Sequence, residues 1–276
     1  MKSRFVITCC MLCLAGLAAA MIQLTVFHTR NTPAAQTVAS HNWYYKPRED
    51  GQQPILADDA PFLAQYPHIS VGNADAKQIC LTFDCGYDNG YTAAILDTLK
   101  EKQVPAAFFV TGHFVDSCPD LIRRMADEGH LVCNHSDTHR DLSQNTTSQI
   151  FLEELQGVEQ KYLALTGQPM SRYIRPPEGK YSEDFLKLCV QHKYLPVFWS
   201  FAYCDWINDD QPDLASAKQT ILTRTHPGEI ALLHATSATN AAILGDVIDQ
   251  WRNMGYTLSG LDAFARAACP EFFTAP

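Results

Sequence analysis

From Lys77 onward the chain alternates short apolar runs with amphipathic stretches, and this alternation limits the possible folds more than any other feature. Residues 79–83, 106–110, 131–134, 173–175, 195–201 and 230–233 read as strands, with 257–261 as a closing strand. Between them, residues 91–102, 119–128, 148–166, 182–192, 214–225 and 240–254 carry helical spacing. In the longest of these, Ile150, Leu152, Leu155, Val158, Tyr162 and Leu165 share one face, and Gly167 stops the helix. Pro119 stands near one helix start and Gly129 just past its end; Ser182 caps another, with Glu183 and Asp184 in its first turn. Strands that are apolar throughout need cover on both faces. The expectation is therefore an α/β fold built on a parallel sheet, either a barrel or doubly wound.

The 276 residues allow one good-sized domain with extensions. A formal charge of −9 argues against nucleic acid as a partner, because phosphate binding wants a basic face. At the N-terminus, Lys2 and Arg4 precede an almost uncharged run from Phe5 to Phe27. Basic flank followed by apolar core is the export pattern. Ala18, Ala19 and Ala20 offer a cleavage site, yet the run continues past them to about 23 residues, enough to span a bilayer at ~1.5 Å per residue. An uncleaved anchor is expected, with a cleaved signal as the alternative; both place the domain outside the cytoplasm. Residues 28–76 are polar, with five prolines, and read as a tether and irregular lead-in. There Trp43, Tyr44 and Tyr45 either pack on the domain or rest at a membrane surface. The main domain is expected over 77–262, with a tail over 263–276. Three of the ten cysteines (Cys9, Cys10, Cys13) lie in the apolar run; the others are scattered without C-x-x-C spacing. Free thiols sit oddly with an oxidising compartment.

Each strand delivers an ionisable residue at its carboxyl end: Asp84 after the first, His113 after the second, His135 and His139 after the third, Arg175 at the fourth, Asp205 after the fifth and His234 at the sixth. In a parallel sheet or barrel those ends converge on one face, where active sites are built. A lone strand-end carboxylate would read as a loop cap; six such strands together indicate a site. Two histidines at i and i+4 suit one metal. A metal with open positions lowers the pKa of bound water and polarises a carbonyl. Beside it Asp84 can act as base, Arg175 can hold Asp84 ionised, His234 can protonate a leaving group, and Asp205 can orient His234 or raise its pKa. A structural ion pair and a strand-end cap are the plainer readings of Arg175 and His234. Trp206 reads as core or as an aromatic stacking on a sugar ring. His113 reads as second-layer or structural.

These blocks, T-F-D-C-G, H-S-D-T-H, R-P-P-E-G, C-D-W and L-L-H, resemble in order the five motifs of the polysaccharide deacetylase family (carbohydrate esterase family four, the chitooligosaccharide-deacetylase-homology domain). T-F-D-C-G-Y-D-N-G-Y-T, F-F-V-T-G-H-F-V and the spacing to H-P-G-E-I resemble its muramic acid de-N-acetylases, which help make δ-lactam in spore cortex peptidoglycan. The resemblance implies a distorted (β/α) barrel of about seven β/α units, a divalent metal, and removal of N-acetyl groups from amino sugars of peptidoglycan glycan strands. It implies Asp84 as base, His135 and His139 as metal ligands, Arg175 as support of Asp84, Asp205 as tuner of His234, and His234 as acid. The Glu178 backbone N–H falls where the family places an oxyanion donor.

Two positions depart from the family pattern. Cys85 stands where many members carry a second aspartate as metal ligand, and Glu178 where many have tyrosine. A Cys85 thiolate would suit zinc better than magnesium or manganese, with cobalt also open. As a small filler, Cys85 would leave the two histidines to hold the metal, and adjacent strand residues do tend to point to opposite sides. Rival functions are an N-acetylglucosamine-polymer deacetylase, an O-acetyl esterase, or a wall-binding module without activity. Fractionation of expressing cells is expected to recover the protein with membranes; recovery wholly in the cytosol, or release with an N-terminus near Met21, removes the anchor.

Overall fold

The structure is a computed structural model that describes residues 39–56 and 59–274. Its centre is β1 (Gln78–Cys85), followed by β2 (Ala106–Val110), β3 (Leu131–Asn134), β4 (Tyr173–Ile174), β5 (Leu195–Pro196), β6 (Glu229–His234) and β7 (Thr257–Leu258). All pairings are parallel, in the order β6-β1-β2-β3-β4-β5, with β7 added beside the start of β1. The sheet curls into part of a barrel. His234 lies opposite Asp84 in the β6–β1 register, so the two functional strand ends are neighbours from the start.

Strand parity divides β1 between two environments. Ile79, Leu81, Phe83 and Cys85 pack on the helix side with Ile95, Leu96 and Leu99 of α1 (Thr92–Lys102). Cys80 belongs to the other face, with Ala107, Phe109, Cys133, Tyr173, Leu195, Val197 and Ile230. Side chains alternate across a strand, so Asp84 shares the face of Cys80, not that of Cys85. The remaining helices are α2 (Gly112–Ser117), α3 (Pro119–Asp127), α4 (Ser148–Thr166), α5 (Glu183–Gln191), α6 (Leu214–Arg224), α7 (Ala238–Asn253) and α8 (Leu261–Ala268). In α8, Leu261, Phe264 and Ala265 pack against the inner cluster, so the packed fold runs past residue 262.

The run expected as one strand over 195–201 keeps regular pairing only through Pro196. Beyond it the backbone does other work. Phe198 N bonds to Ile69 O at 2.7 Å, the Val197 and Phe198 carbonyls accept from Arg175, and the Trp199 carbonyl accepts from Trp43. The chain meets β6 again at the Phe201–Ala231 bridge, with Ser200 N donating to Ile230 O at 3.0 Å and Leu232 N to Phe201 O at 2.8 Å. The lead-in is likewise partly ordered. His41–Asn42 pairs antiparallel with Lys180–Tyr181, and Tyr45–Lys46 with Ile55–Leu56. Among the described residues no helix is long and apolar enough to cross a membrane, and the apolar run 5–27 lies outside them.

Where β5 and β6 separate, a buried polar cluster takes over. Ser200 Oγ accepts from Ile230 N at 3.0 Å and lies 2.9 Å from His226 Nε2, and His226 N donates to Glu229 Oε2 at 3.1 Å. Glu229 is fully buried and its Oε1 has no partner. Burial raises its carboxyl to about 8. An unfolded glutamate titrates near about 4.3. The folded chain therefore keeps a proton that the unfolded chain gives up, and stability falls as pH rises between these values, by up to about 1.4 kcal/mol per pH unit. Glu229→Gln keeps the acceptor for His226 N and removes the titration. Its urea midpoint is expected to exceed the parent's at pH 8, with the gap closing toward pH 5.

Candidate active site

Asp84, His135, His139, Glu178, Gly179, Trp199, Trp206, Leu232 and His234 line one cavity of about 410 Å³ at the carboxyl ends of the strands. Arg175, directly after β4, is fully buried beneath it. Arg175 Nη1 donates to Asp84 Oδ1 at 2.8 Å, Nε to Val197 O at 3.2 Å and Nη2 to Phe198 O at 3.3 Å. The guanidinium lies over the Phe109 ring, 4.2 Å from its centroid. Burial alone would raise the Asp84 carboxyl, but Arg175, helped by His135 and His234, outweighs it and holds the group below the ordinary carboxylate range. Asp84 is thus an ionised carboxylate on the cavity floor.

His234 ends β6 beside Asp84. Its Nδ1 lies 2.7 Å from Asp205 Oδ1 and its backbone N donates to Asp205 Oδ2 at 2.8 Å. A carboxylate partner fixes Nδ1 as the protonated nitrogen and leaves Nε2 for the cavity. Burial lowers the imidazolium pKa, but the Asp205 hydrogen bond and charge outweigh it and raise the net value. Asp205 is fully buried and also accepts from Asn240 Nδ2 at 2.5 Å. Asn240 Oδ1 in turn accepts from the Tyr203 hydroxyl, and Ser237 Oγ caps the Asn240 N–H at 3.1 Å. Asn240 lies in the first turn of α7, in a pattern that reads as an ordinary helix start, so nothing in the sequence marked it. Trp206 is half exposed, its ring 5.5 Å from that of His234.

His135 follows β3, its Nδ1 2.8 Å from the Arg175 carbonyl, which makes Nδ1 the donor and turns Nε2 toward Asp84 Oδ2, 3.7 Å away. Burial, opposed by Asp84, pushes its pKa down to about 4, so the ring is neutral near pH 7. The His139 ring lies 4.9 Å from it, edge on. Two non-glycine residues of this loop, Ser136 and His139, have φ of +65° and +58°. Such backbone persists only where its surroundings hold it. Here α4 supplies the hold: Glu154 accepts from Thr138 N at 3.0 Å and from Thr138 Oγ1 at 2.8 Å, and Asn134 Nδ2 donates to Leu155 O at 2.8 Å. Lys161 of the same helix donates to Asp137 Oδ1 at 2.7 Å. Glu154 was another residue hidden in an amphipathic pattern.

His113 is not part of the cavity. Thr111 Oγ1 accepts from Phe114 N at 3.2 Å and starts α2 at once, which carries His113 to the surface. Of the two readings of Cys85, its place in the core is that of the small filler. The structure places its side chain, fully buried, in the helix-side core and not in the cavity, because it alternates with Asp84 along β1. Burial first, then the neighbouring Asp84, raise its thiol well above the usual range. Three imidazoles (His135, His139, His234) and two carboxylates (Asp84, Glu178) line the cavity, and of these the His135 and His139 rings and Asp84 lie side by side. Among the described residues no group of three or more His, Cys, Asp or Glu side chains is set to hold a metal ion. The set suits an open metal position rather than a structural one. The seven cysteines of the described residues are all free. In the native protein an alkylating reagent is expected to label exposed Cys204 and to leave Cys85 unmodified with or without added zinc. Labelling of Cys85 that zinc suppresses would restore it as a ligand.

The family profile described as Polysaccharide deacetylase matches residues 71–197. The peptidoglycan-N-acetylmuramic acid deacetylase PdaA of Bacillus subtilis is 42% identical over 222 residues, spanning 80% of this chain and 84% of that protein. The solved structure of B. subtilis PdaA, a family 4 carbohydrate esterase, matches with a TM-score of 0.78 at 40% identity, covering 82% of this chain and 96% of that one. A family 4 carbohydrate esterase from Bacillus anthracis matches at a TM-score of 0.69 and 40% identity, covering 83% and 97%. With similarity of this depth across most of both chains, the chain belongs to the polysaccharide deacetylase family.

Proposed function

We propose that the protein hydrolyses the N-acetyl group of N-acetylmuramic acid in peptidoglycan glycan strands. The observation that carries the reaction is the pairing of an ionised carboxylate with a carboxylate-supported imidazole across one cavity: Asp84 on Arg175, and His234 on Asp205. The sugar follows the B. subtilis relative. Deacetylases of this family depend on a metal in general. His135 and His139 are the residues that would hold one here, and when bound it would polarise the acetyl carbonyl and lower the pKa of a water. Zinc is the proposed metal, since neutral imidazoles suit it.

Asp84 takes a proton from the attacking water, whose oxygen bonds to the acetyl carbon. The Glu178 N–H, in a left-handed turn on the cavity wall, donates to the oxygen that becomes negative. The carbon–nitrogen bond then breaks as His234 gives its proton to the departing amine, leaving acetate and the free amino sugar. Asp205 keeps His234 oriented and stabilises its charged form throughout. Trp199, Trp206 and Leu232 give the cavity an apolar wall beside these groups, suited to an acetyl methyl and a sugar face. Peptidoglycan as substrate puts the work outside the cytoplasm, and the apolar run 5–27 is the proposed membrane tether.

Asp84→Asn keeps the size of the side chain and removes its charge and basicity. It is expected to cut acetate release from defined muropeptide-free glycan fragments by about 10²–10⁴-fold while thermal unfolding stays cooperative. Mass spectrometry of the products is expected to locate the lost acetyl on the muramic residue. Near-parent rates for Asp84→Asn overturn the base assignment, and loss confined to N-acetylglucosamine overturns the sugar.

A further inference from the structure

The lead-in segment, which lies before the matched family region at 71–197, is tied to the site by one buried residue. Trp43 N donates to Gly179 O at 2.8 Å, and its indole Nε1 donates to Trp199 O at 2.8 Å. Its ring stacks on Phe198 with centroids 4.6 Å apart. Gly179 and Trp199 both line the cavity, and Phe198 O is one of the two carbonyls that seat Arg175. Around Trp43 the same segment makes further ties. His41 and Asn42 pair with Tyr181 and Lys180, Ser40 Oγ lies 2.6 Å from Ser143 Oγ beyond the histidine loop, and Tyr45 OH donates to Ala202 O at 2.9 Å ahead of Asp205.

The turn that Trp43 holds is one that does not hold itself. Glu178 has φ +56° and Gly179 φ +67°. A non-glycine residue in this region costs energy and keeps its conformation only when neighbours over-determine it. A Cβ on Gly179 would stand 2.7 Å from Trp199 Cη2 and 3.2 Å from Trp43 Cβ, so the Trp199 ring and the Trp43 side chain both pack close on the turn.

We propose that Trp43 is a positioning residue of the active site: it locks the 178–179 turn and Trp199, and so aims the Glu178 N–H at the reacting carbonyl oxygen. The proposal rests on the reading of that amide as the oxyanion donor. Donors of this kind act through their placement, and small misplacements reduce turnover without weakening ground-state binding.

The test compares Trp43→Ala, Trp43→Phe and Leu63→Ala in the full chain. Leu63 is buried in the same apolar cluster and its backbone bonds to Ala60 and Tyr66, away from the 178–179 turn, so it reports general loosening. Trp43→Phe keeps a ring on Phe198 and loses only the indole donor. Trp43→Ala is expected to lower kcat for acetate release about ten-fold or more with KM within about two-fold, Trp43→Phe less, and Leu63→Ala scarcely at all. Independently of activity, hydrogen exchange should accelerate in peptides covering 177–181 and 199–202 in Trp43→Ala, and at 199–202 alone in Trp43→Phe. Unchanged exchange at 177–181 in Trp43→Ala overturns the proposal. So does a kcat loss in Leu63→Ala equal to that of Trp43→Ala at matched stability. A parent protein that releases no acetate overturns the proposed activity instead, and the exchange measurement then decides the role of Trp43.

Discussion

Burying a guanidinium is costly unless each of its donors finds an acceptor, and much of this structure is arranged to satisfy Arg175. Its partners are Asp84 Oδ1 at 2.8 Å and the carbonyls of Val197 and Phe198. Its own carbonyl, meanwhile, orients His135 at 2.8 Å. One fully buried residue therefore sets the charge of the proposed base and the tautomer of a proposed ligand. Removing either member of such a pair leaves an uncompensated buried charge, typically a loss of about 3–5 kcal/mol. The arrangement also explains why the sheet stops short of regular closure. Carbonyls in 197–199 serve side-chain donors, and Ser200 and His226 tie this stretch to Ile230 and Glu229 of β6.

Around this centre, support comes in concentric layers from elements remote in sequence. The base and acid are neighbours because β1 and β6 are paired in register. The acid is backed by Asp205, Asp205 by Asn240, and Asn240 by Tyr203. The histidine loop is held by Glu154 and Lys161 of α4. Each backbone strain point at the cavity, at Ser136, His139 and Glu178, thus has an identifiable brace, as expected where function requires an unfavourable conformation.

Strand-end chemistry was the legible part of the sequence. The fully apolar runs announced a parallel sheet, and Asp84, His135, Arg175, Asp205 and His234 could be placed on its rim from their position after those runs alone. His113, read as second-layer or structural, lies away from the cavity because Thr111 starts a helix just ahead of it. Cys85 was decided by parity: alternation along β1 sends its thiol to the core when Asp84 faces the cavity. What stayed illegible were the braces. Glu154 and Asn240 sit in ordinary helix patterns, and Trp43 in a proline-rich stretch without period, so only the tertiary structure reveals what they touch. The end of β5 was unreadable for the same reason, since its acceptors go to side chains from elsewhere.

The central claim is that Arg175 keeps Asp84 ionised in a site whose burial would otherwise neutralise it. Carbon-13 NMR titration of aspartate-labelled, metal-free protein, with the Asp84 signal assigned by its loss in Asp84→Asn, measures this directly. The account predicts a carboxyl that stays ionised to a pH below the ordinary aspartate value of about 3.9. An Asp84 carboxyl that takes up its proton at or above that value would contradict it.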